Sequence, residues 1–310
     1  MVVKSQQFQV ESGLGRIRLD DYLFARFGSL SRMYLRDLVR TNQVIVNGDY
    51  PNIGTRLRAN DFIEMSVDMS RRTSMQPEDI PLDIVYEDGA VIVVNKPAGM
   101  LVHPTHRDKN GTLLNALTFY LNKKDLTQSR KDAETVRPGL VHRLDKGTSG
   151  LMVIAKSVAT HRKLAREFMK KRVKKRYVAL VDGLIAENEG EIESRIGRYA
   201  EKKIWDVKED GKSAVSRFCV LDRFTDSTLV ELEPVTGRTN QLRIHCASIG
   251  HPIVGDVQRG GREFARLCLH AFWLSFKHPL ANSPVEFKTD IPKLFWLTNS
   301  MGECPFLPDR

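Results

Sequence analysis

Short apolar runs outnumber helical patterns through most of this chain, and the two kinds do not alternate. Runs at 82–87, 90–95, 151–156, 176–182, 214–221 and 228–233 have the length and the turn-bounded character of buried strands. Helical spacing predicts helices only at 112–121, 158–172 and 238–249. Strict alternation would point to a doubly wound parallel sheet. Its absence predicts an α+β domain over residues 80–300, built on a mixed, largely antiparallel sheet.

A different pattern precedes that domain. Leu19, Tyr22, Leu23 and Phe27 recur at helical spacing, and Ser31 can cap a second helix whose apolar face is Leu35, Leu38 and Val39. Val44-Ile45-Val46 reads as a strand ending in the Asn47-Gly48 turn, and residues 62–67 as another strand. A small α/β module over residues 16–72 is therefore predicted. Residues 69–80, polar and aperiodic, read as a linker, and the tail 304–310 as irregular. Two domains suit a chain of 310 residues.

The formal charge of +10 is the unusual part of the composition. Such an excess fits an anionic partner, either nucleic acid or an acidic membrane surface, and it also serves plain solubility. No apolar stretch approaches the roughly 20 residues that span a bilayer. Met1–Gln7 lacks the apolar core of a signal peptide. Cys219, Cys246, Cys268 and Cys304 are far apart, which predicts reduced thiols in a cytoplasmic protein. The eight histidines show no close ligand set, so no metal site is expected.

Four elements carry candidate chemistry. His142-Arg143-Leu144-Asp145 leads through Lys146-Gly147-Thr148-Ser149-Gly150 into the apolar run from Leu151, which sets Asp145 on a loop at the start of a strand. By spacing alone an Asp beside an Arg reads more readily as a structural ion pair. The glycines let another backbone come close. Residues 162–176 hold nine Lys or Arg in fifteen positions, among them Lys170, Lys171, Lys174 and Lys175. So dense a run suits a helix face that tracks phosphates, beside the plainer reading of a solvated face. Tyr177 opens the strand that follows. Thr236-Gly237-Arg238-Thr239-Asn240-Gln241-Leu242-Arg243 is a turn that becomes helical, and Asn95-Lys96-Pro97-Ala98-Gly99 is a corner after an apolar strand.

These elements, in this order, resemble the RluA-type pseudouridine synthases, and the resemblance covers about residues 16–290. It also rests on Gly250–Asp256, Leu269-His270-Ala271 and His278-Pro279. Arg18-Leu19-Asp20, Leu30-Ser31-Arg32, Val46-Asn47-Gly48 and Asp61-Phe62-Ile63 resemble the small RNA-binding module named after ribosomal protein S-four. The resemblance implies a pseudouridine-synthase catalytic domain at 80–300 and an RNA-binding module at 16–72. It implies that Asp145 is catalytic, that Tyr177 stacks on the target base, and that Arg243 pairs with Asp145. Arg143 would fill the space left by the flipped base, with Arg32, Lys170, Lys171, Lys174, Lys175 and Arg238 binding RNA. Asn240 stands where the family has His, and an amide carries no charge.

The implied reaction moves the ribose C1′ bond of a uridine from N1 to C5, without redox change or net hydrolysis, so no cofactor is expected. The implied partner is large-subunit ribosomal RNA or an assembling subunit, and the implied state a monomer with neither metal nor membrane. A non-catalytic RNA-binding assembly factor would share the charge and the module, but would not need Asp145, Tyr177 and Arg243 together.

Overall fold

The computed structural model describes residues 3–12, 16–28, 30–69, 76–105, 107–127, 136–201 and 204–296. The predicted tail at 304–310 and residues 70–75 of the predicted linker lie outside these. The chain forms two compact units, Met1–Gln76 and Pro77–Arg310.

In the first unit, strand β1 (Val3–Gln9) precedes β2 (Ile17–Arg18), helix α1 (Leu19–Arg26), helix α2 (Arg32–Arg40), β3 (Val44–Val46), β4 (Arg56–Leu57) and β5 (Phe62–Asp68). Ser31 caps α2, its hydroxyl accepting from the Tyr34 N–H at 3.2 Å. Asn47 and Gly48 both take positive φ, the turn that carries β3 onward. Asn60 adopts φ +69 in the turn before β5, a conformation Asn tolerates. β1, ahead of the expected boundary at residue 16, pairs antiparallel along the whole of β5. Phe8 packs there with Tyr22 and Phe27. Asp20, on the first turn of α1, is buried. Burial alone would raise its pKa, but hydrogen bonds from Arg18 (3.0 Å) and Arg36 (2.6 Å) outweigh it and hold the carboxyl below its ordinary range.

The second unit contains β6 (Ile84–Glu87), β7 (Val91–Lys96), α3 (Leu113–Thr127), β8 (Gly139–Leu140), β9 (Ser149–Ala155), α4 (Val158–Met169) and β10 (Lys174–Asp182). It continues with β11 (Glu189–Tyr199), β12 (Ile204–Val207), β13 (Lys212–Arg223), β14 (Ser227–Pro234), α5 (Gln241–Ser248), β15 (Leu269–Lys277) and β16 (Pro284–Lys288). One eleven-stranded sheet runs β12-β11-β13-β14-β10-β15-β9-β7-β6, with β16 on β15 and β8 on β9. Every pairing in it is antiparallel except β9 with β15, so the sheet is mixed and largely antiparallel, as expected. Central strands such as β9 are buried on both faces, which is why they read as continuous apolar runs. Gly150 (φ +118) lies at the parallel seam, where a Cβ would land on the Ala271 backbone.

The predicted helix at 158–172 is shorter than expected. α4 stops at Met169, Lys171 turns the chain with φ +54, and Lys174 already belongs to β10. The basic run is thus split between a helix, a turn and a strand. β11, β12, β15 and β16 lie outside the runs that the sequence pattern marked.

Candidate active site

Asp145 sits half-buried on the loop that feeds β9, beside the buried Leu144. Two strands hold that loop. The corner after β7 is tied to it by the Gly99 N–H, which donates to the Lys146 carbonyl at 2.8 Å. Lys96, only 1% exposed, donates from Nζ to the carbonyls of Pro97 (2.8 Å), Met100 (2.8 Å) and Lys146 (3.4 Å). Burial, then the charge of Arg266, pull the Lys96 pKa down to about 8, while the Asp145 carboxylate opposes the fall. On the other side of the loop, the His142 Nε2 accepts the Val153 N–H at 3.0 Å and its ring stacks on Phe168 at 4.7 Å. Burial pushes the His142 pKa down to about 3, so the imidazole is neutral and an acceptor.

The far end of the loop is fixed by a one-way chain of donors. Arg266 Nη2 donates to the Ser149 hydroxyl at 2.7 Å, and that hydroxyl lies 2.7 Å from His270 Nδ1. His270 Nε2 lies 3.0 Å from the Thr289 hydroxyl. Burial, helped by Arg266, lowers the His270 pKa to about 4. A neutral ring satisfies both contacts if Ser149 donates to Nδ1 and Nε2–H donates to Thr289. Ser149 and His270 are also register partners across the parallel seam. The chain therefore clamps the start of β9, four residues from Asp145, onto β15.

Tyr177 lies on β10 where its pairing with β15 slips by one residue between Arg176 and Val178. Such irregularities re-aim a side chain. The ring is 7% exposed, and burial, then the nearby Asp145 charge, raise the phenol pKa well above its ordinary value. The tyrosine is neutral, and its ring is what the site can use.

Arg243, on the first turn of α5, does not form an ion pair with Asp145. Its guanidinium is gripped by Asp256, with Nε to Oδ2 at 2.7 Å and Nη2 to Oδ1 at 2.6 Å, and Nη1 donates to the Asn240 amide oxygen at 3.3 Å. Asp256 has a side chain only 1% exposed, so its charge requires such a fork. Its hydrogen bonds are the first cause of the raised Arg243 pKa, and Asp145 contributes through space. Arg243 thus presents a fixed positive charge to Asp145 without a direct bond. Asn240, with φ +55, uses its side chain on Arg243 and leaves the α5 N-terminus uncapped. Gln241 orders the turn before it, accepting from the Thr236 hydroxyl (2.7 Å) and the Arg238 N–H (2.9 Å).

A cavity of about 560 Å³ gathers these groups. Asp145, Tyr177 and Arg243 line it together with Arg143, Lys171, Lys174, Lys175 and Arg238. Lys170 does not; it closes the C-terminus of α4 with an exposed side chain. Arg32 lies in the other unit, paired with Asp21 at 2.9 Å and stacked over Phe24. Lys175 is partly buried, its ammonium 5.9 Å over the Phe168 ring, and burial lowers its pKa. The wall also carries Glu233 and Arg217, cross-strand partners on β14 and β13. Sequence reasoning did not single out Glu233 or Arg266, and it named Lys96, Ser149, Asp256 and His270 only as parts of motifs, without a role for any of them. A lysine closing an otherwise apolar strand was the one local signal for Lys96; its carbonyl partners come from two separate loops. Among the described residues no group of His, Cys, Asp and Glu could hold a metal ion, and no helix is long and apolar enough to cross a membrane.

Residues 90–248 match the family model of RNA pseudouridylate synthases. The chain is 39% identical over 280 residues to the uncharacterized RNA pseudouridine synthase YlyB of Bacillus subtilis, covering 89% of this chain and 91% of that one. It is 36% identical to ribosomal large subunit pseudouridine synthase D of Pasteurella multocida, covering 92% and 90%. Among solved structures, human RNA pseudouridylate synthase domain containing 1 aligns with TM-score 0.54 and 30% identity, over 70% of this chain and 87% of that one.

Proposed function

Because the chain belongs to the RNA pseudouridylate synthase family, an isomerase family acting on RNA, we propose that it converts specific uridines of large-subunit ribosomal RNA to pseudouridine. The observation that carries the reading is the convergence of Asp145, Tyr177 and Arg243 on one basic cavity, from three separate stretches of sequence. The ribosomal substrate is supported by relatives such as that of Pasteurella multocida, which align along nearly their whole length. The cytoplasm is the compartment that suits such a substrate. A non-catalytic assembly factor has no observation in its favour.

In this reading Asp145 acts on the target ribose, either as a nucleophile at C1′ or by taking the proton of the neighbouring carbon, while the C1′–N1 bond breaks; C1′ then rejoins the uracil at C5, the C5 proton leaves and N1 takes one up. The base leaves its stack, at a cost on the order of a few kcal/mol. Tyr177 offers a neutral ring for it to lie against, and Arg143, exposed on the Asp145 loop, fills the gap in the RNA. Arg243, locked by Asp256, holds a fixed positive charge that acts on the Asp145 carboxylate through space. Lys171, Lys174, Lys175 and Arg238 hold phosphates around the cavity. The test is incubation with ribosomal RNA and with free uridine, followed by pseudouridine mapping. Site-specific conversion of the RNA alone is expected. Conversion of free uridine at a comparable rate would instead mark a nucleoside enzyme.

A further inference from the structure

A second cavity, of about 420 Å³, lies against β11, β12 and the start of β13. Its wall shares Gly237, Arg238 and Thr239 with the catalytic cavity, so the two adjoin. Gly237, on that shared wall, borders open space, with nothing within 4 Å of where its Cβ would stand. The size of this second cavity falls in the range of small-ligand sites.

The charges on this wall are unbalanced. Arg198, Lys208, Lys212 and Arg238 reach it, against Asp210 alone. Asp210 is already taken by Lys208 at 2.9 Å. Arg238 uses Nε on the Ser213 carbonyl at 3.0 Å and has its other nitrogens left. Arg198 and Lys212, both exposed, make no side-chain hydrogen bond or ion pair among the described residues. The half-buried Trp205 lines the same cavity and its indole N–H is likewise without a partner there. Three cations without a carboxylate on one concave wall concentrate anions, and an indole at its side offers a face to a base. The mechanism above uses none of these groups except Arg238.

We infer that this groove is a second nucleotide subsite, which holds the backbone phosphates of the RNA strand flanking the target uridine on Arg198, Lys212 and Arg238, with a neighbouring base against Trp205. The inference rests on RNA being the substrate and adds where the flanking strand runs. Phosphate contacts of this kind set affinity and register and leave the chemical step alone.

The test is the double variant R198Q/K212Q in the full-length protein, beside a control, K277Q/K288Q, that removes two exposed cations from β15 and β16. Binding to ribosomal RNA is measured across a salt series, and conversion at saturating RNA. The groove variant should bind on the order of tenfold more weakly at moderate salt. Its log-affinity slope against log salt should flatten by about 1.4, at about 0.7 per lost single-strand contact. Its kcat and melting temperature should match wild type, and the control should keep the wild-type slope. A groove variant with unchanged affinity and slope overturns the inference, as does a control that flattens the slope equally. Failure of the wild type to convert any ribosomal uridine would sink the substrate reading instead, and the binding series would still decide on the groove.

Discussion

At the scale of single residues, His270 converts burial into a pH dependence. Its pKa of about 4 in the fold lies below its ordinary value of about 6.5. Between those values the unfolded chain binds a proton that the fold refuses, so stability falls as pH drops from 6.5 towards 4, by roughly 2 kcal/mol at pH 5. H270N, whose amide oxygen replaces Nδ1 as acceptor for Ser149, should melt with a flatter profile between pH 7 and pH 5 and keep most activity. H270Q restores only the bond to Thr289 and should lose kcat with little change in KM, because the clamp on the Asp145 loop is gone. Equal activity in both variants would show that the Ser149 bond does not position the loop. Tyr177 invites a similar pair. Y177F keeps the ring and should keep much of the activity, whereas Y177A should lose a stacking platform worth roughly 1–3 kcal/mol. A fully active Y177A would make Tyr177 a core residue only, in keeping with its 7% exposure.

At the scale of elements, α5 is a strut for one guanidinium. D256N leaves Arg243 half-gripped and a buried charge unpaired, which costs on the order of 3–5 kcal/mol where measured in other proteins. Reduced melting temperature together with a large fall in kcat is expected. Full activity would mean that Arg243 needs no anchor. The Arg243–Asp256 bond also shows where the sequence stopped being legible. The turn-to-helix pattern around Thr236–Arg243 was readable, and so was the loop that carries Asp145, because both are local. That Asp256, thirteen residues on, would claim the guanidinium was not, because the partner is chosen by burial in the folded loop. The same limit applies to the basic run. Its composition was legible, but the end of the helix at Met169 was not, since the left-handed Lys171 and the pull of β10 into the sheet outweigh helical propensity. Strands buried on both faces, such as β9, announced themselves. β11 has only Ile192 and Ile196 buried, so it holds no continuous apolar run and was not marked as a strand.

At the scale of the molecule, the two compact units divide the labour in the account. Removing residues 1–76 should leave a soluble, folded unit, because each unit has its own apolar cluster, around Leu19, Leu23 and Leu35 in one and around Ile92, Val178 and Leu229 in the other. That truncated protein should modify ribosomal RNA with lower affinity or looser selectivity. Insoluble protein would show that the units share a core, and unchanged selectivity would remove recognition from the first unit. The claim on which everything else depends is that this chain isomerises RNA uridines through Asp145. Pseudouridine mapping of ribosomal RNA treated with wild type and with D145N, beside a binding measurement for each, tests it most directly. Discrete modified uridines are expected with the wild type, none with D145N, and equal RNA binding by both. D145N turnover within about tenfold of wild type would contradict it, since losing an essential group costs far more than that.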